Sequence, residues 1–207
     1  MIKKYLVIGN PIEHSLSPKL HNYWIKEKNI NAIYDKKKID KNDLKNIISK
    51  VKEEKINGIN VTVPFKKAVI PFLDQLSPEA NNTQSVNTIY YENKKIVGHN
   101  TDIAGFDLAL KYSKYDVSKK EILILGAGGV VPSIIYCLKK MKVSKITISN
   151  RTKEKAKDLK ILFDNLNIID WGDIPNFDMI INATSLGLNE NDEIKLNYEN
   201  IGSNKLF

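Results

Sequence analysis

A lysine and an aspartate in the first half of the chain supply the residue types needed for electrostatic and acid–base chemistry at a substrate oxygen. Lys66 closes the segment from Asn60 to Lys66, and Asp102 closes the triplet Asn100-Thr101-Asp102. An ammonium and a carboxylate about 4 Å apart attract each other by roughly 4 kcal/mol at an effective dielectric of 20. Such a pair keeps the lysine protonated, which suits stabilisation of negative charge better than free proton exchange near neutrality. Lys66 and Asp102 are therefore candidates for such a pair on the basis of residue type.

Two further polar clusters, Ser15-Leu16-Ser17-Pro18 and Ser85-Val86-Asn87-Thr88, lie in the same half of the chain. Each lies where a strand is predicted to end or a helix to begin, so we expect the side chains of all four clusters to converge on one cleft. Each cluster also has a purely structural interpretation. Ser17 fits a helix N-cap, Asn87 fits a hydrogen bond to a neighbouring turn, and Asp102 fits a favourable charge at a helix N-terminus.

The second half of the chain contains a glycine turn, Gly126-Ala127-Gly128-Gly129, between a predicted strand and a predicted helix. In this context a glycine turn lets a pyrophosphate approach backbone N–H groups at the start of the helix. Val131 departs from the usual fingerprint, because it stands where a glycine or alanine allows close packing of helix on strand. A glycine-rich turn without a ligand remains the alternative interpretation.

The next predicted strand ends in Asn150-Arg151-Thr152, with Lys155 one helical turn further on. A site for NAD usually offers an acidic residue here to the ribose 2′-hydroxyl, whereas a site for NADP offers an arginine to the 2′-phosphate. Arg151 has the planar donor geometry for phosphate oxygens, and Lys155 adds a point charge. Solvated basic residues are the alternative, but cations at a helix N-terminus oppose the helix dipole unless an anion is bound.

Composition favours a globular protein. The chain has 207 residues, 42% of them hydrophobic, and a formal charge of +8. Its lysines are scattered rather than clustered with aromatic residues, which argues against nucleic-acid binding. One cysteine, Cys137, and three histidines form no disulfide framework and no metal-ligand pattern, and His14 and His99 are more readily interpreted as structural than as catalytic.

Targeting signals are not apparent. The apolar run near the N-terminus breaks at Gly9-Asn10-Pro11, too soon for a signal peptide. No segment approaches the roughly 20 apolar residues that cross a bilayer. We predict a reducing, cytoplasmic setting, no metal, and no nucleic-acid or membrane partner, with a homodimer left open.

Strand-like and helix-like segments alternate, which predicts an α/β fold with parallel strands and right-handed crossovers. In the first half we predict a strand at Tyr5 to Gly9, a helix from Ser17 to about Lys28, an amphipathic helix carrying Leu44, Ile47, Ile48 and Val51, a strand at Ile59 to Val63, and a hairpin of Val86 to Tyr90 with Lys95 to Gly98. In the second half we predict strands at Glu121 to Leu125, Lys145 to Ser149 and Asp178 to Asn182, with helices at about Val130 to Met141 and Thr152 to Phe163.

Seven motifs, taken together, resemble the shikimate dehydrogenase family in the order in which they occur. They are Gly9-Asn-Pro-Ile-Glu-His-Ser-Leu-Ser-Pro, Asn60-Val-Thr-Val-Pro-Phe-Lys, Val86-Asn-Thr-Ile, Asn100-Thr-Asp-Ile-Ala-Gly-Phe, Gly126-Ala-Gly-Gly, Asn150-Arg-Thr and Ile181-Asn-Ala-Thr-Ser-Leu-Gly. The resemblance covers essentially the whole chain. It implies reversible NADPH-dependent reduction of 3-dehydroshikimate to shikimate, in the pathway to chorismate and the aromatic amino acids.

The resemblance also implies a domain order and a role for each site residue. The implied fold is an N-terminal α/β substrate domain over residues 1–102, a connecting helix over 103–119, and a Rossmann-like doubly wound domain over 120–207, truncated at its C-terminus. Ser15 and Ser17 are expected to contact the substrate carboxylate, while Thr62, Lys66, Asn87 and Asp102 surround the ring hydroxyls and the ketone. The resemblance thus implies that Lys66 and Asp102 are catalytic, with Lys66 stabilising or protonating the ketone oxygen. The NADP site is expected to comprise Gly126, Ala127, Gly128, Gly129, Val130, Asn150, Arg151, Thr152, Lys155, Asn182, Ala183, Thr184 and Ser185.

Two departures from the family pattern bear on these expectations. Val130-Val131-Pro132 replaces the small residues and arginine that usually follow the paired glycines, so a cofactor contact is lost, although proline is tolerated in a first helical turn. Lys205-Leu206-Phe207 resembles the start of a strand, whereas family members continue with another strand and with helices that return to the first domain and bring a glutamine to the substrate. We therefore expect the 207-residue chain to expose an apolar patch, to be aggregation-prone, and to be nearly inactive.

Two rival functions remain open. One is an enzyme of the same fold that uses quinate as well as shikimate, often with NAD, against which the absent strand-end acid and Arg151 argue. The other is a non-catalytic nucleotide-binding relative, against which the presence of both Lys66 and Asp102 argues.

Overall fold

A computed structural model describes residues 2–187, 192–194, 196, 201 and 205–206. The chain divides into two compact units, residues 1–101 and 102–207. Each unit is built on its own β-sheet with its own hydrophobic core. None of the helices among the described residues is long and apolar enough to cross a membrane.

The first unit contains a six-stranded mixed sheet. Its elements in chain order are β1 (Lys3–Gly9), α1 (Ser17–Glu27), β2 (Ala32–Lys38), α2 (Leu44–Lys52), β3 (Gly58–Val61), β4 (Gln75–Leu76), α3 (Pro78–Thr83), β5 (Thr88–Glu92) and β6 (Lys95–His99). The strand order is β2-β1-β3-β5-β6-β4. β2 and β3 run parallel to β1, whereas β5 runs antiparallel to both of its neighbours.

Side-chain alternation along β1 gives the first sheet two different faces. Ile8 lies in the main core, which includes the four apolar residues of α2 that the sequence predicted to be buried. Val7 belongs to a smaller cluster with Ile12 and Tyr34, against which Tyr5 and Ile25 pack. The amphipathic prediction for α2 is confirmed, because Leu44, Ile47, Ile48 and Val51 are the buried residues of that helix.

The second unit contains a parallel four-stranded sheet. Its elements are α4 (Asp102–Ser113), β7 (Glu121–Leu125), α5 (Val131–Lys140), β8 (Lys145–Ser149), α6 (Lys153–Leu162), β9 (Leu166–Ile169) and β10 (Met179–Asn182). The strand order is β10-β7-β8-β9, and every pairing is parallel. The order reverses beside β7, because β8 lies on one side of it and β10 on the other. Such a switch point is where open α/β sheets bind ligands, outside the carboxyl ends of the strands.

The second sheet is covered on both faces. Ile122 and Ile124 of β7 pack in a core that includes buried residues of α4, α5 and α6. The alternate residues Leu123 and Leu125 pack with Phe177 and Ile180 in a separate cluster. This continuous burial is typical of a parallel strand and explains why β7 is apolar at four consecutive positions.

Several boundaries differ from the predictions. β3 ends at Val61, so Thr62 and Val63 lie in the following turn, and Val86 precedes β5. The helix α5 contains Pro132 in its first turn, as predicted. Leu206 forms a parallel bridge with Met179, which agrees with a strand starting near Lys205, while Phe207 lies outside the described residues.

Candidate active site

The turn that follows β3 presses closely against the end of β1. Thr62 donates its backbone N–H to the carbonyl of Ile8 at 3.0 Å, and Asn10 donates to the carbonyl of Val63 at 3.0 Å. A Cβ on Gly9 would lie 2.6 Å from Cγ2 of Thr62, a distance that real Cβ atoms do not reach. Glycine is therefore required at position 9 to hold Thr62, a predicted substrate residue, beside the carboxyl end of β1.

The serine segment, residues 15 to 17, follows β1 and leads into α1. The hydroxyl of Ser15 accepts a hydrogen bond from the backbone N–H of Ser17 at 3.3 Å. The prediction that Ser17 is the N-cap of α1 is wrong: Leu16 is the N-cap, and Ser17 is the first helical residue. Both serines are half-buried.

A salt bridge and two hydrogen bonds tether the loop before the serine segment to β2 and the residues that follow it. Glu13 accepts from the ammonium of Lys38 at 3.1 Å, and its backbone carbonyl accepts from Lys36. Asn10 donates its side-chain N–H to Asp40 at 3.2 Å. Hydrogen bonds from its own backbone N–H and from that of Ile12, together with Lys38, lower the pKa of Glu13 to about 2. Glu13 is therefore a carboxylate at any ordinary pH.

Asn87 joins two of the predicted polar clusters within the first unit. Its Oδ1 accepts from the backbone N–H of Thr101 at 3.0 Å, and its Nδ2 donates to the Thr101 hydroxyl at 2.9 Å. Its backbone carbonyl accepts from Val61 at 2.8 Å, next to Thr62. The structural interpretation of Asn87, a bond to a neighbouring turn, is therefore correct, and the half-buried side chain lies beside the residue that precedes Asp102.

Lys66 and Asp102 lie in different units. Lys66 is half-buried in the turn after Pro64, where its carbonyl accepts from the backbone N–H of Val86 at 2.9 Å. Asp102 is half-buried and is the first residue of α4. The pairing of the two side chains stays a prediction.

In the second unit the glycine turn lies where three strands end. Gly126 donates its backbone N–H to the carbonyl of Ser149 at 2.8 Å, and Ala183 donates to the carbonyl of Leu125 at 2.8 Å. Gly126 has φ of 110°, and a Cβ there would lie 2.7 Å from the carbonyl oxygen of Ala183. Both observations require glycine at this position. Gly128 and Gly129 are exposed, and Val130 is the N-cap of α5 without a side-chain hydrogen bond.

The segment from Asn182 to Ser185 forms a self-bonded turn after β10. Oδ1 of Asn182 accepts from the backbone N–H of Thr184 at 3.0 Å and from its hydroxyl at 2.7 Å. The Thr184 hydroxyl accepts in turn from Leu186 at 3.0 Å. These bonds fix the backbone of Ala183 against Gly126 and leave Ser185 exposed at the same end of the sheet.

The cations after β8 differ in whether they already have a partner. Lys153 contacts Asp170 at 2.6 Å, and this carboxylate raises the pKa of the lysine. Arg151 and Lys155 are exposed, and neither forms an ion pair within the described part of the chain. Asn150 donates its side-chain N–H to the carbonyl of Thr152 at 2.6 Å, which holds the turn that carries Arg151.

These residues fit a dinucleotide phosphate. A turn that contains Gly126, where a Cβ would clash, lies at the switch point of a parallel sheet, next to the start of α5, where backbone N–H groups favour an anion. Exposed cations lie after the neighbouring strand, and no acidic side chain occupies the position after β8, where Asn150 stands. No group of three or more His, Cys, Asp or Glu residues among those described could hold a metal ion.

Comparison with known proteins identifies the family. Residues 7–89 match the shikimate dehydrogenase substrate-binding domain, and residues 107–190 match the shikimate/quinate 5-dehydrogenase domain. The shikimate dehydrogenase (NADP(+)) of Pelagibacter ubique is 58% identical over all 207 residues, which correspond to 78% of that protein. The chain belongs to the shikimate dehydrogenase family.

Solved structures of family members share the fold. The crystal structure of shikimate dehydrogenase from Aquifex aeolicus superimposes with a TM-score of 0.90 at 40% identity, over 99% of this chain and 77% of that one. A structure of shikimate 5-dehydrogenase from Thermus thermophilus in complex with NADP(H) and shikimate gives 0.80 at 30% identity, over 90% and 70% of the two chains. The predicted α/β fold, with a substrate domain preceding a Rossmann-like domain, is confirmed.

The sequence patterns missed two polar residues that lie close to the predicted substrate residues. Tyr34 is 6% exposed, and its hydroxyl donates to Oδ1 of Asn60 at 2.7 Å. Asn60 is part of a motif, but only its neighbours in that motif were predicted as site residues. Tyr34 lies in β2, an edge strand whose sequence Ala32-Ile-Tyr-Asp-Lys-Lys-Lys38 has no regular apolar alternation. The isolated buried tyrosine therefore gave no periodic signal.

Proposed function

We propose that this protein is an NADP-dependent shikimate dehydrogenase, which reduces the ring ketone of 3-dehydroshikimate with NADPH and runs reversibly. The observation that carries this proposal is that, in a member of the shikimate dehydrogenase family, the predicted site residues lie at the strand ends of both sheets. Thr62 and Asn87 lie together at one end of the first sheet, and the glycine turn lies at the switch point of the second. The reaction belongs to the route to chorismate and the aromatic amino acids.

The cofactor residues of the second unit fit NADP. When bound, NADP supplies hydride chemistry at its nicotinamide ring. The glycine turn, Val130 and the start of α5 are proposed to hold the pyrophosphate, and Asn182 to Ser185 to line the same end of the sheet. Arg151 is proposed to bind the 2′-phosphate through its planar donors, with Asn150, Thr152 and Lys155 around it. The Val130-Val131-Pro132 segment supplies no cationic side chain, which leaves Arg151 and Lys155 as the proposed source of charge.

On the substrate side, Ser15 and Ser17 are proposed to donate hydrogen bonds to the carboxylate. Thr62 and Asn87 are proposed to bind ring hydroxyls, with Asp102 contributing from the start of α4. Lys66 is proposed to stabilise the oxygen that becomes negative as the ketone is reduced. Residues 1–102 would thus form the substrate domain, 103–119 a connection, and 120–207 the NADP domain.

Two alternatives predict different cofactor and substrate use. A quinate/shikimate dehydrogenase that prefers NAD usually has an acidic residue for the ribose 2′-hydroxyl after β8, where this chain has Asn150 and Arg151. A non-catalytic relative would bind nucleotide without turnover, and the presence of both Lys66 and Asp102 argues against it. We also propose a cytoplasmic setting and a small-molecule substrate, and a homodimer stays a prediction.

A turnover assay separates these functions. The full-length protein is purified and supplied with shikimate or quinate, each with NADP or NAD, and formation of the reduced cofactor is followed. We expect the highest kcat/KM for the pair of shikimate and NADP. Faster turnover of quinate with NAD would favour the first alternative, and nucleotide binding without turnover of any pair would favour the second.

A further inference from the structure

Tyr34 is a buried tyrosine beneath the serine segment, and it reaches across the sheet to a second strand. It is aligned with Tyr5 of β1, which separates β2 from β3, and its hydroxyl donates to Asn60 of β3 at 2.7 Å. The side chain therefore spans β1 and connects the edge strand to the strand that precedes Thr62. Only 6% of Tyr34 is exposed.

The direction of this hydrogen bond is fixed by the other partners of Asn60. Nδ2 of Asn60 donates to the backbone carbonyl of Asn87 at 3.2 Å and to the hydroxyl of Thr88 at 3.2 Å. A carbonyl only accepts, so the amide nitrogen must face Asn87 and the amide oxygen must face Tyr34. Tyr34 is thus the donor, and its own oxygen retains lone pairs that can accept a hydrogen bond.

Two residues of α1 contact Tyr34. The ring of His21 stacks on the Tyr34 ring with centroids 4.1 Å apart. Asn22 binds the backbone of Tyr34 on both sides, accepting from its N–H at 3.0 Å and donating to its carbonyl at 2.7 Å. The edge strand's outward backbone groups are therefore used to dock α1.

The hydroxyl of Tyr34 remains a donor throughout the physiological pH range. Burial is the main cause that raises the pKa of Tyr34 to about 12. A continuous set of contacts thus runs from α1 through Tyr34 and Asn60 to Asn87. One end is the helix that begins at Ser17, proposed above to bind the carboxylate, and the other is Asn87, proposed to bind a ring hydroxyl of the same substrate.

We propose that Tyr34 is a positioning residue that locks the serine segment to Asn60 and Asn87, and so fixes the spacing between the carboxylate-binding and hydroxyl-binding groups. The proposal rests on the proposed function, because it assumes that shikimate is held at both ends. Loss of the tyrosine hydroxyl leaves Oδ1 of Asn60 without its donor and removes the hydrogen bond that connects β2, on which α1 docks, to β3. The binding groups are then no longer preorganised for the substrate. The affinity for shikimate therefore falls, whereas the rate of the chemical step changes less.

The experiment compares Tyr34→Phe with Tyr5→Phe in the full-length protein. Tyr5 is aligned with Tyr34 on the neighbouring strand and packs against the same cluster, so its replacement removes a hydroxyl from the same sheet. KM for shikimate, KM for NADP, kcat and Tm are measured for each. We expect Tyr34→Phe to raise KM for shikimate about 10-fold, which equals about 1.4 kcal/mol, with kcat and KM for NADP changed less than about threefold. Tyr5→Phe should leave both KM values within about twofold.

A KM for shikimate within twofold of wild type in Tyr34→Phe overturns the proposal, as does a parallel rise of both KM values, which marks general structural damage. If Tyr34→Phe does not fold, Asn22→Ala decides, because it cuts the docking of α1 from its exposed side and should raise KM for shikimate about threefold. An unchanged KM in that variant likewise overturns the proposal.

Absence of shikimate turnover in the wild-type protein overturns the proposed function and this proposal together. Normal wild-type kinetics with a failed variant test overturn only the role of Tyr34.

Discussion

At the residue scale, the polar side chains of this protein separate into those already engaged and those that remain available to a ligand. Lys153 is paired with Asp170, and Asn87 is bonded to Thr101, so part of their capacity is used within the fold. Arg151 is exposed and forms no ion pair within the described ranges. Residue types alone identify these side chains as polar or charged. Only the structure shows which of them are already paired, because partners such as Asp170 are distant in the sequence.

The role of Lys66 is tested by Lys66→Met. The variant should lower kcat by about 10² or more with a much smaller change in KM, because the lost interaction strengthens as negative charge develops on oxygen. Lys67→Met, which replaces the exposed neighbour, is the matched control and should retain normal kinetics. A near-normal kcat in Lys66→Met would remove Lys66 from the mechanism.

Arg151 determines cofactor choice in this account. Hydrogen bonds to charged groups contribute roughly 1.5–3 kcal/mol, so Arg151→Ala should weaken NADP binding about 10-fold or more while leaving NAD binding nearly unchanged. Lys160→Ala, at the far end of α6, removes the same charge and serves as the control in binding titrations. Equal losses of NADP and NAD affinity would show that Arg151 does not bind the 2′-phosphate.

Local sequence patterns misassigned Ser17 and missed Tyr34 and Asn60. Ser17 followed by Pro18 matches an N-cap pattern, yet Ser17 lies one residue inside α1. Tyr34 and Asn60 are bonded across 26 positions of sequence. Local sequence patterns predict where helices end and where strands run. They carry no information about a hydrogen bond between side chains that are distant in the sequence.

At the element scale, the sequence predicted most accurately the helices and strands whose buried residues are periodic or continuous. The helix α2 and the strand β7 were predicted because their apolar residues repeat at helical spacing or run together. The strand β2 was not, since it is an edge strand of mainly charged residues, and β9 was not, since only its first residue is fully buried. Packing against distant segments, rather than propensity, determines these two strands.

The glycine turn after β7 is tested by Gly126→Ala. The φ of 110° disfavours alanine, and its Cβ would meet the Ala183 carbonyl at 2.7 Å, so the turn must shift. The variant should lower Tm and weaken NADP binding by about 10-fold or more, since strain of roughly 1–3 kcal/mol falls on the binding turn. Gly105→Ala is the control: the site lies within α4 with open space around it, and alanine there should preserve NADP affinity and slightly raise Tm. Unchanged NADP affinity in Gly126→Ala would exclude this turn from the cofactor site.

The tether between Glu13 and Lys38 predicts a pH dependence. The pKa of Glu13 in the folded protein is lowered from 4.5 to about 2, so its stabilising contribution is present above pH 4.5 and is lost as pH falls towards 2. The difference in urea midpoint between wild type and Glu13→Gln should therefore be larger at pH 7 than at pH 3. Because the pair is exposed, the difference should be small and should shrink in high salt. An equal difference at both pH values would contradict the lowered pKa.

At the scale of the whole molecule, the first unit supplies the proposed substrate residues and the second the proposed cofactor residues, apart from Asp102. The formal charge of +8 favours anionic ligands, and both 3-dehydroshikimate and NADP are anions. The chain spans between about 69% and 78% of the length of the relatives from Pelagibacter ubique and Pyrococcus furiosus. Family membership could be predicted from the sequence because the seven motifs occur in the family's order and lie in both units.

The most direct test of the central claim follows the hydrogen that is transferred. The full-length protein is incubated with NADP and with shikimate deuterated at the carbinol carbon that becomes the ketone, and the products are analysed by mass spectrometry. We expect the products to be NADPH that carries one deuterium and 3-dehydroshikimate that has lost it, because hydride passes directly from that carbon to the cofactor. Formation of unlabelled NADPH, or no reduction of NADP above the level of Lys66→Met, would contradict it.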